Sequence, residues 1–133
     1  MNSKLKITIC GSIAFHDEMI AVKNKLESMG HIVDLPPIEI TLNDGSKMLV
    51  KKYYEIRKNS ENDGDGWIWD EKEKAMMAHF KKVEWSDVVL ILNCDKNNIA
   101  GYIGGNTLME MGLAFFLNKK GILYRKIPLI FVF

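Results

Sequence analysis

Apolar residues change their period several times along this 133-residue chain, and each change marks an element. Over residues 4–10 they alternate, with Leu5, Ile7 and Ile9 on one face, and Gly11-Ser12 ends the run. A period of two closed by Gly-Ser predicts a strand and a tight loop. Met19, Val22, Leu26 and Met29 then recur at helical spacing, with Gly30 as the C-terminal stop. A short second strand is predicted over 31–35, ended by Pro36-Pro37. The first 37 residues thus read as one β-α-β unit, the signature of a parallel sheet.

The middle of the chain is less regular. A helix is predicted over 46–58, with Met48, Leu49, Tyr53 and Ile56 as its apolar positions. NSENDGDG, residues 59–66, is a flexible loop by composition, and it lacks the spacing and closing glutamate of a calcium loop. Trp67 and Trp69 follow in a segment read as mobile, either a lid over a flat ligand or a pin holding the loop down.

Order returns with a helix over 70–84, whose stripe is Met76, His79, Phe80 and Val83. DVVLILNC, residues 87–94, is a continuous apolar run, as expected of a central parallel strand covered on both faces. A loop over 95–105 leads to a helix over 106–118, and a last apolar stretch fills 121–133.

This order predicts a single α/β domain over 1–133. Its sheet is doubly wound, mostly parallel and Rossmann- or flavodoxin-like, with about five strands and helices on both faces. Ligands of such folds sit beyond the carboxyl ends of the strands. That rim gathers residues 10–13, 93–96 and the Gly104-Gly105 loop.

Composition narrows the chemistry. A formal net charge of +1 and scattered lysine pairs argue against a nucleic acid polymer, which needs a concentrated basic face. No run approaches the ~18 apolar residues of a membrane span, and the first residues do not resemble a secretory signal, so a cytoplasmic location is expected. Cys10 and Cys94 have no metal-ligand spacing, so no metal is expected and both read as buried free thiols. Gly11-Ser12-Ile13 is not the dinucleotide fingerprint, and no cofactor is expected.

Two loops and one acid remain. Gly11 permits close backbone approach, and Ser12 places a hydroxyl beside the free amides of the next helix, an arrangement suited to a phosphate or a sugar hydroxyl. The alternative is that Gly-Ser serves turn geometry alone. Gly104-Gly105 offers amides along the axis of the helix that Asn106 opens, where asparagine is also a good N-cap. Thr107-Leu108-Met109-Glu110 matches the capping box, and on local grounds Glu110 caps its own helix from the first turn.

Taken together, GSI after the first strand, HFKKVEWSDVVLILN, and GYIGGNTLMEMGLAFFLNKK resemble the nucleoside 2-deoxyribosyltransferase superfamily. The resemblance extends to the 2′-deoxynucleoside 5′-monophosphate N-glycosidases within it and covers residues 5–30 and 76–120. Its most specific part is the glycine loop, then Glu110-Met111-Gly112-Leu113-Ala114, then Lys119-Lys120. It implies cleavage of an N-glycosidic bond with Glu110 as nucleophile at C1′, followed by hydrolysis or transfer of the glycosyl group to another base. Helix amides would keep Glu110 ionised. Gly11, Ser12, Ile13, Asn93, Gly104, Gly105 and Asn106 would line the substrate.

The pattern also departs from that family. Relatives carry an aspartate eight residues before the Asp that opens the central strand, and here that position is His79, which can still donate a proton near neutral pH. Transferases carry an acid six positions before the nucleophile, where this chain has Gly104. Ser12 matches the phosphate-contacting serine of the monophosphate glycosidases. Relatives usually continue past the last strand, and a neighbouring subunit often completes their site, whereas this sequence stops at IPLIFVF. An apolar run of that kind needs cover, so a homodimer or higher homo-oligomer is expected. The alternative function is a non-catalytic nucleotide-binding module of the same fold.

Overall fold

A computed structural model describes residues 3–59 and 66–126. The NSENDGDG loop, apart from its two ends, and the IPLIFVF run lie outside the described residues. The chain divides into two compact units, Met1–Leu35 with Phe80–Phe133, and Pro36–His79.

The first unit is built on four parallel strands, β1 (Lys6–Cys10), β2 (Ile32–Asp34), β5 (Val88–Ile91) and β6 (Lys120–Leu123), in the spatial order β2-β1-β5-β6. Between β1 and β2 runs α1 (His16–Ser28), and between β5 and β6 runs α4 (Gly105–Phe116). Gly30, at φ +96°, turns the chain out of α1, as a C-terminal glycine stop requires. Alternation along β1 sorts its side chains to two faces. Ile7 and Ile9 join Phe15, Met19, Val33, Val88 and Leu92 in the core under α1. Cys10 belongs to the opposite core, with Val83, Val89, Ile91, Ile103 and Ala114. Helices therefore cover both faces, and the strand order reverses between β1 and β5. That places the switch point at Cys10-Gly11 and Leu92-Asn93.

The predicted α/β class and parallel sheet hold, with four strands in the main sheet among the described residues. The last helical turn and a half before β5 also stitches this unit together. Lys82 pairs with Asp34 at 3.3 Å and donates to the Leu35 carbonyl at 2.6 Å, while the Thr8 hydroxyl donates to the Lys82 carbonyl at 2.9 Å.

The second unit corrects the reading of the middle. A two-stranded antiparallel hairpin, β3 (Glu39–Thr41) and β4 (Lys47–Leu49), occupies part of the predicted helix 46–58. Its turn is Leu42–Ser46, where Asp44 accepts from the Ser46 amide at 2.8 Å and Gly45 takes φ +84°. Asp-Gly between two short apolar runs is a hairpin signal, and here it overrides helical spacing.

Helix α2 (Val50–Asn59) follows, then α3 (Gly66–Trp85), which continues into the first unit. Trp67 and Trp69, read as part of a mobile segment, stand in the first turn of α3, both partly exposed. Between them Ile68 is buried at 1% exposure, and its carbonyl accepts from the Tyr53 hydroxyl. Ile40, Val50, Tyr53 and Ile68 are the buried hydrophobic residues described in this unit.

Candidate active site

Glu110 is the sixth residue of α4, past the first turn. The N-cap is Gly104, in extended conformation, and no side chain caps the helix. Thr107 is inside the helix, so the capping box that its spacing suggests does not form. The reason is the glycine pair: Gly104 takes the cap position, starting the helix three residues earlier than Thr107 would. Asn106 likewise lies inside α4 instead of capping it.

The buried residues of α4 are Thr107, Glu110 and Ala114, a helical stripe facing the sheet. Glu110 is thus a carboxylate on the seam of an apolar core, 8% exposed. Its partner is Cys10, which β1 delivers to the same face and whose thiol hydrogen-bonds to the carboxylate. Burial pushes the Glu110 pKa up from 4.5 to about 7, against the lowering effect of the Cys10 hydrogen bond. This corrects the expectation that helix amides hold Glu110 ionised: at the sixth position it has left the free amides behind. Burial first, and then the Glu110 charge and hydrogen bond, raise the Cys10 thiol well above its usual range, so Cys10 is a neutral donor.

At the end of β1, Gly11 is obligatory. A Cβ there would come within 2.8 Å of the Leu92 carbonyl oxygen and 2.9 Å of the Met19 methyl. Ser12 then caps a 3-10 turn, Ile13–Phe15, its hydroxyl accepting from the Ala14 amide at 3.3 Å. The same hydroxyl accepts from Lys96 Nζ at 2.9 Å.

Asn93, expected at the substrate, is fully buried. Its side chain donates to the Arg125 carbonyl at 3.0 Å and accepts from the Arg125 amide at 2.7 Å, tying the segment after β6 to the end of β5. His79 is buried at 4% exposure, at the boundary where α3 passes into the first unit. Gly104 lies near Tyr102, and Gly105 has open space where a side chain would begin. Ile13 is half-buried beside Ser12.

The sequence reading puts Cys10 and Lys96 on the rim but not their partners, Glu110 and Ser12, and it passes over the buried His16. Parity along β1 separates Cys10 from Ile7 and Ile9, because it falls on the opposite face. Nothing in the spacing of residues 95–101 identifies the contact of Lys96 with Ser12.

Fold and rim together define a flavodoxin-like α/β protein with a protonatable acid buried beside the sheet's carboxyl edge. No family model matches the chain, and no curated protein matches it in sequence. Among solved structures it is similar to a 2-deoxyribosyltransferase from the psychrotolerant bacterium Bacillus psychrosaccharolyticus, at 16% identity and a TM-score of 0.55. That match covers 92% of this chain and 76% of the other, and it establishes a shared fold. Among the described residues no helix is long and apolar enough to cross a membrane.

Proposed function

We propose that this protein cleaves the N-glycosidic bond of a (deoxy)nucleoside or its 5′-monophosphate through a glycosyl-enzyme ester on Glu110. The observation that carries the reading is the placement of Glu110 on the buried stripe of α4, relieved of any capping role. A carboxylate on an apolar seam costs stability, and a leucine there would pack better. Such a cost is expected where the group reacts. The shared fold supports the same reading, since the similar structure is that of a 2-deoxyribosyltransferase described as a biocatalyst for nucleoside synthesis.

In the proposed reaction the ionised Glu110 oxygen bonds to C1′ while the C1′–N bond breaks and its electron pair leaves with the base. The departing base takes a proton, and His79 is the proposed donor. Water, or a second base, then attacks C1′ and releases Glu110 as carboxylate. Splitting the displacement in two avoids a free oxocarbenium ion, as in retaining glycosidases. A Glu110 pKa of about 7 leaves roughly half of the protein with the nucleophile ionised at neutral pH. Ser12 is the proposed contact to a 5′-phosphate or sugar hydroxyl, with Gly11, Ile13, Gly104, Gly105 and Asn106 along the substrate. Exposed Phe115 and Phe116 of α4 and Ile122 of β6, the outermost strand among the described residues, support the expected homo-oligomer.

The test is incubation with a panel of deoxynucleosides and their 5′-monophosphates, with chromatography for free base and Glu110→Ala as control. Base release that vanishes in Glu110→Ala is the expected result, and a second free base in the mixture separates transfer from hydrolysis. Thermal stabilisation by nucleotide without base release identifies a non-catalytic binding module instead.

A further inference from the structure

A cavity of about 300 Å³ opens between α4 and β6, wholly within the first unit. Its floor is a face of the sheet. Val89 and Ile91 of β5 pair with Gly121 and Leu123 of β6, so these residues share one face, and all of them line the cavity. Met111 and Ala114 form the helix wall, with exposed Phe115 at the rim. Val89, Ile91 and Leu123 bring apolar side chains to the floor. Gly121 brings none, and the row that passes from Val89 to β6 ends in a hollow.

Neither backbone geometry nor packing explains this glycine. Gly121 is inside a strand, has no positive φ, and a Cβ built on it meets nothing within 4 Å. Glycine in a strand interior weakens the strand and often marks a place that a ligand or another backbone approaches closely. A second, independent observation is the charge at the cavity. Lys119 is the one charged residue among the described lining, and no residue from 111 to 126 is acidic. A lysine after a helix commonly serves the last carbonyls. Here the carbonyls of Leu113, Ala114 and Phe115 already accept from the amides of Leu117, Lys119 and Asn118, at 2.9, 2.9 and 3.1 Å. Among the described residues the Lys119 ammonium has no ion-pair partner. An apolar cleft with a single cation is complementary to a molecule that joins an alkyl chain to an anionic end.

We infer that the cavity between α4 and β6 binds an aliphatic carboxylate, with its chain over Gly121 against Val89, Ile91 and Ala114, and its anionic end on Lys119. The inference stands apart from the glycosidase reading, because no residue proposed for that reaction lines this cavity. At ~30 Å³ for each water-sized volume, the space equals about ten waters, which suits a chain of medium length.

Calorimetric titration of the full chain tests this with sodium hexanoate, octanoate and decanoate and the matching 1-alkanols, all below their micelle concentrations. Wild type is expected to bind a single alkanoate per chain, roughly three- to fourfold tighter for each added methylene until the cavity is full. Each alkanoate binds roughly two- to fivefold tighter than its alkanol. Lys119→Met removes that preference and leaves the alkanols unchanged. Gly121→Val fills the hollow and weakens both series by at least about tenfold, while its melting temperature matches or exceeds that of wild type. Equal affinity along the chain-length series overturns the inference, as does unchanged binding by Gly121→Val or a carboxylate preference that survives Lys119→Met. Absence of alkanoate binding also overturns it. If Gly121→Val then alters the mass found by sedimentation equilibrium, the hollow seats a second copy of the chain instead.

Discussion

The two helices that begin at the rim of the sheet start in opposite ways. At α1, the hydroxyl of Ser12 caps the turn before the helix and accepts from Lys96. Helix α4 starts on Gly104 with no side-chain cap, and its acid lies a turn and a half inside. The difference separates two kinds of electrostatics. At α1, a neutral hydroxyl accepts from the Ala14 amide and from the Lys96 ammonium. At α4, burial drives the carboxylate toward its neutral form, with one thiol opposing that drift. One helix start is closed by polar side chains, and the other sets a titratable group into the core.

The largest effect that breaks this contrast is Glu110→Gln. Turnover in a base-release assay is expected to fall by at least about a thousandfold, because amide oxygen is a poor nucleophile and leaves the rest of the site in place. The same variant changes how stability depends on pH. Glu110 titrates near 4.5 unfolded and about 7 folded, so between these values the native state holds a proton that the unfolded state has released. Wild-type stability therefore falls as pH rises from 4.5 to 7, by roughly 3 kcal/mol, and levels off above. Urea unfolding of Glu110→Gln at pH 5 and pH 8 is expected to lack that slope and to show the variant more stable than wild type at pH 8. With Glu110 as the proposed nucleophile, the rate is expected to rise with pH through about 7, as the carboxyl loses its proton. A rate profile flat between pH 5.5 and 8 removes Glu110 from the chemistry.

How much of this was legible in the sequence depends on the range of each interaction. The parallel sheet was readable because β1, β2 and β5 each announce themselves within a few residues, by alternation or by an unbroken apolar run. The hairpin of β3 and β4 was missed because each strand has three residues and Met48 and Leu49 fit a helical stripe equally well. Glu110 stands out in the sequence, but its environment does not. Thr-x-x-Glu signals a cap only if threonine stands at the cap position, and the glycine pair moved that position to Gly104. Ser12 and Lys96 meet across 84 residues, a distance at which local pattern carries no information.

The glycines of the two loops sharpen the contrast at the level of stability. Gly11→Ala forces a Cβ to 2.8 Å from the Leu92 carbonyl, which cannot yield easily because the Leu92 amide is itself bonded to the Cys10 carbonyl at 2.8 Å. A loss of about 1–3 kcal/mol is expected from this overpacking. Gly105→Ala meets nothing within 4 Å and puts a better helix former in the first turn of α4. Its melting temperature should match or slightly exceed that of the wild type. Thermal unfolding of the pair by circular dichroism checks both, and equal behaviour of the two variants means that the β1 loop is looser than its packing implies.

The smallest expected effect isolates the thiol. Cys10 is neutral and lowers the Glu110 pKa through its hydrogen bond, in opposition to burial. Cys10→Ala removes the donor without adding charge, so Glu110 becomes harder to ionise and the rate profile moves to higher pH. One net hydrogen bond corresponds to a displacement of about half to one pH unit. Cys10→Ser keeps a donor of similar size and should hold the profile near that of wild type or move it slightly lower, since a hydroxyl donates more strongly than a thiol. Loss of the thiol also leaves a small gap in the core around Val89, Ile91 and Ala114, so both variants lose some stability. Stability loss alone lowers the amount of active protein equally at every pH. Only the hydrogen bond displaces the midpoint, so an unmoved midpoint in Cys10→Ala shows that the thiol packs beside Glu110 without tuning it.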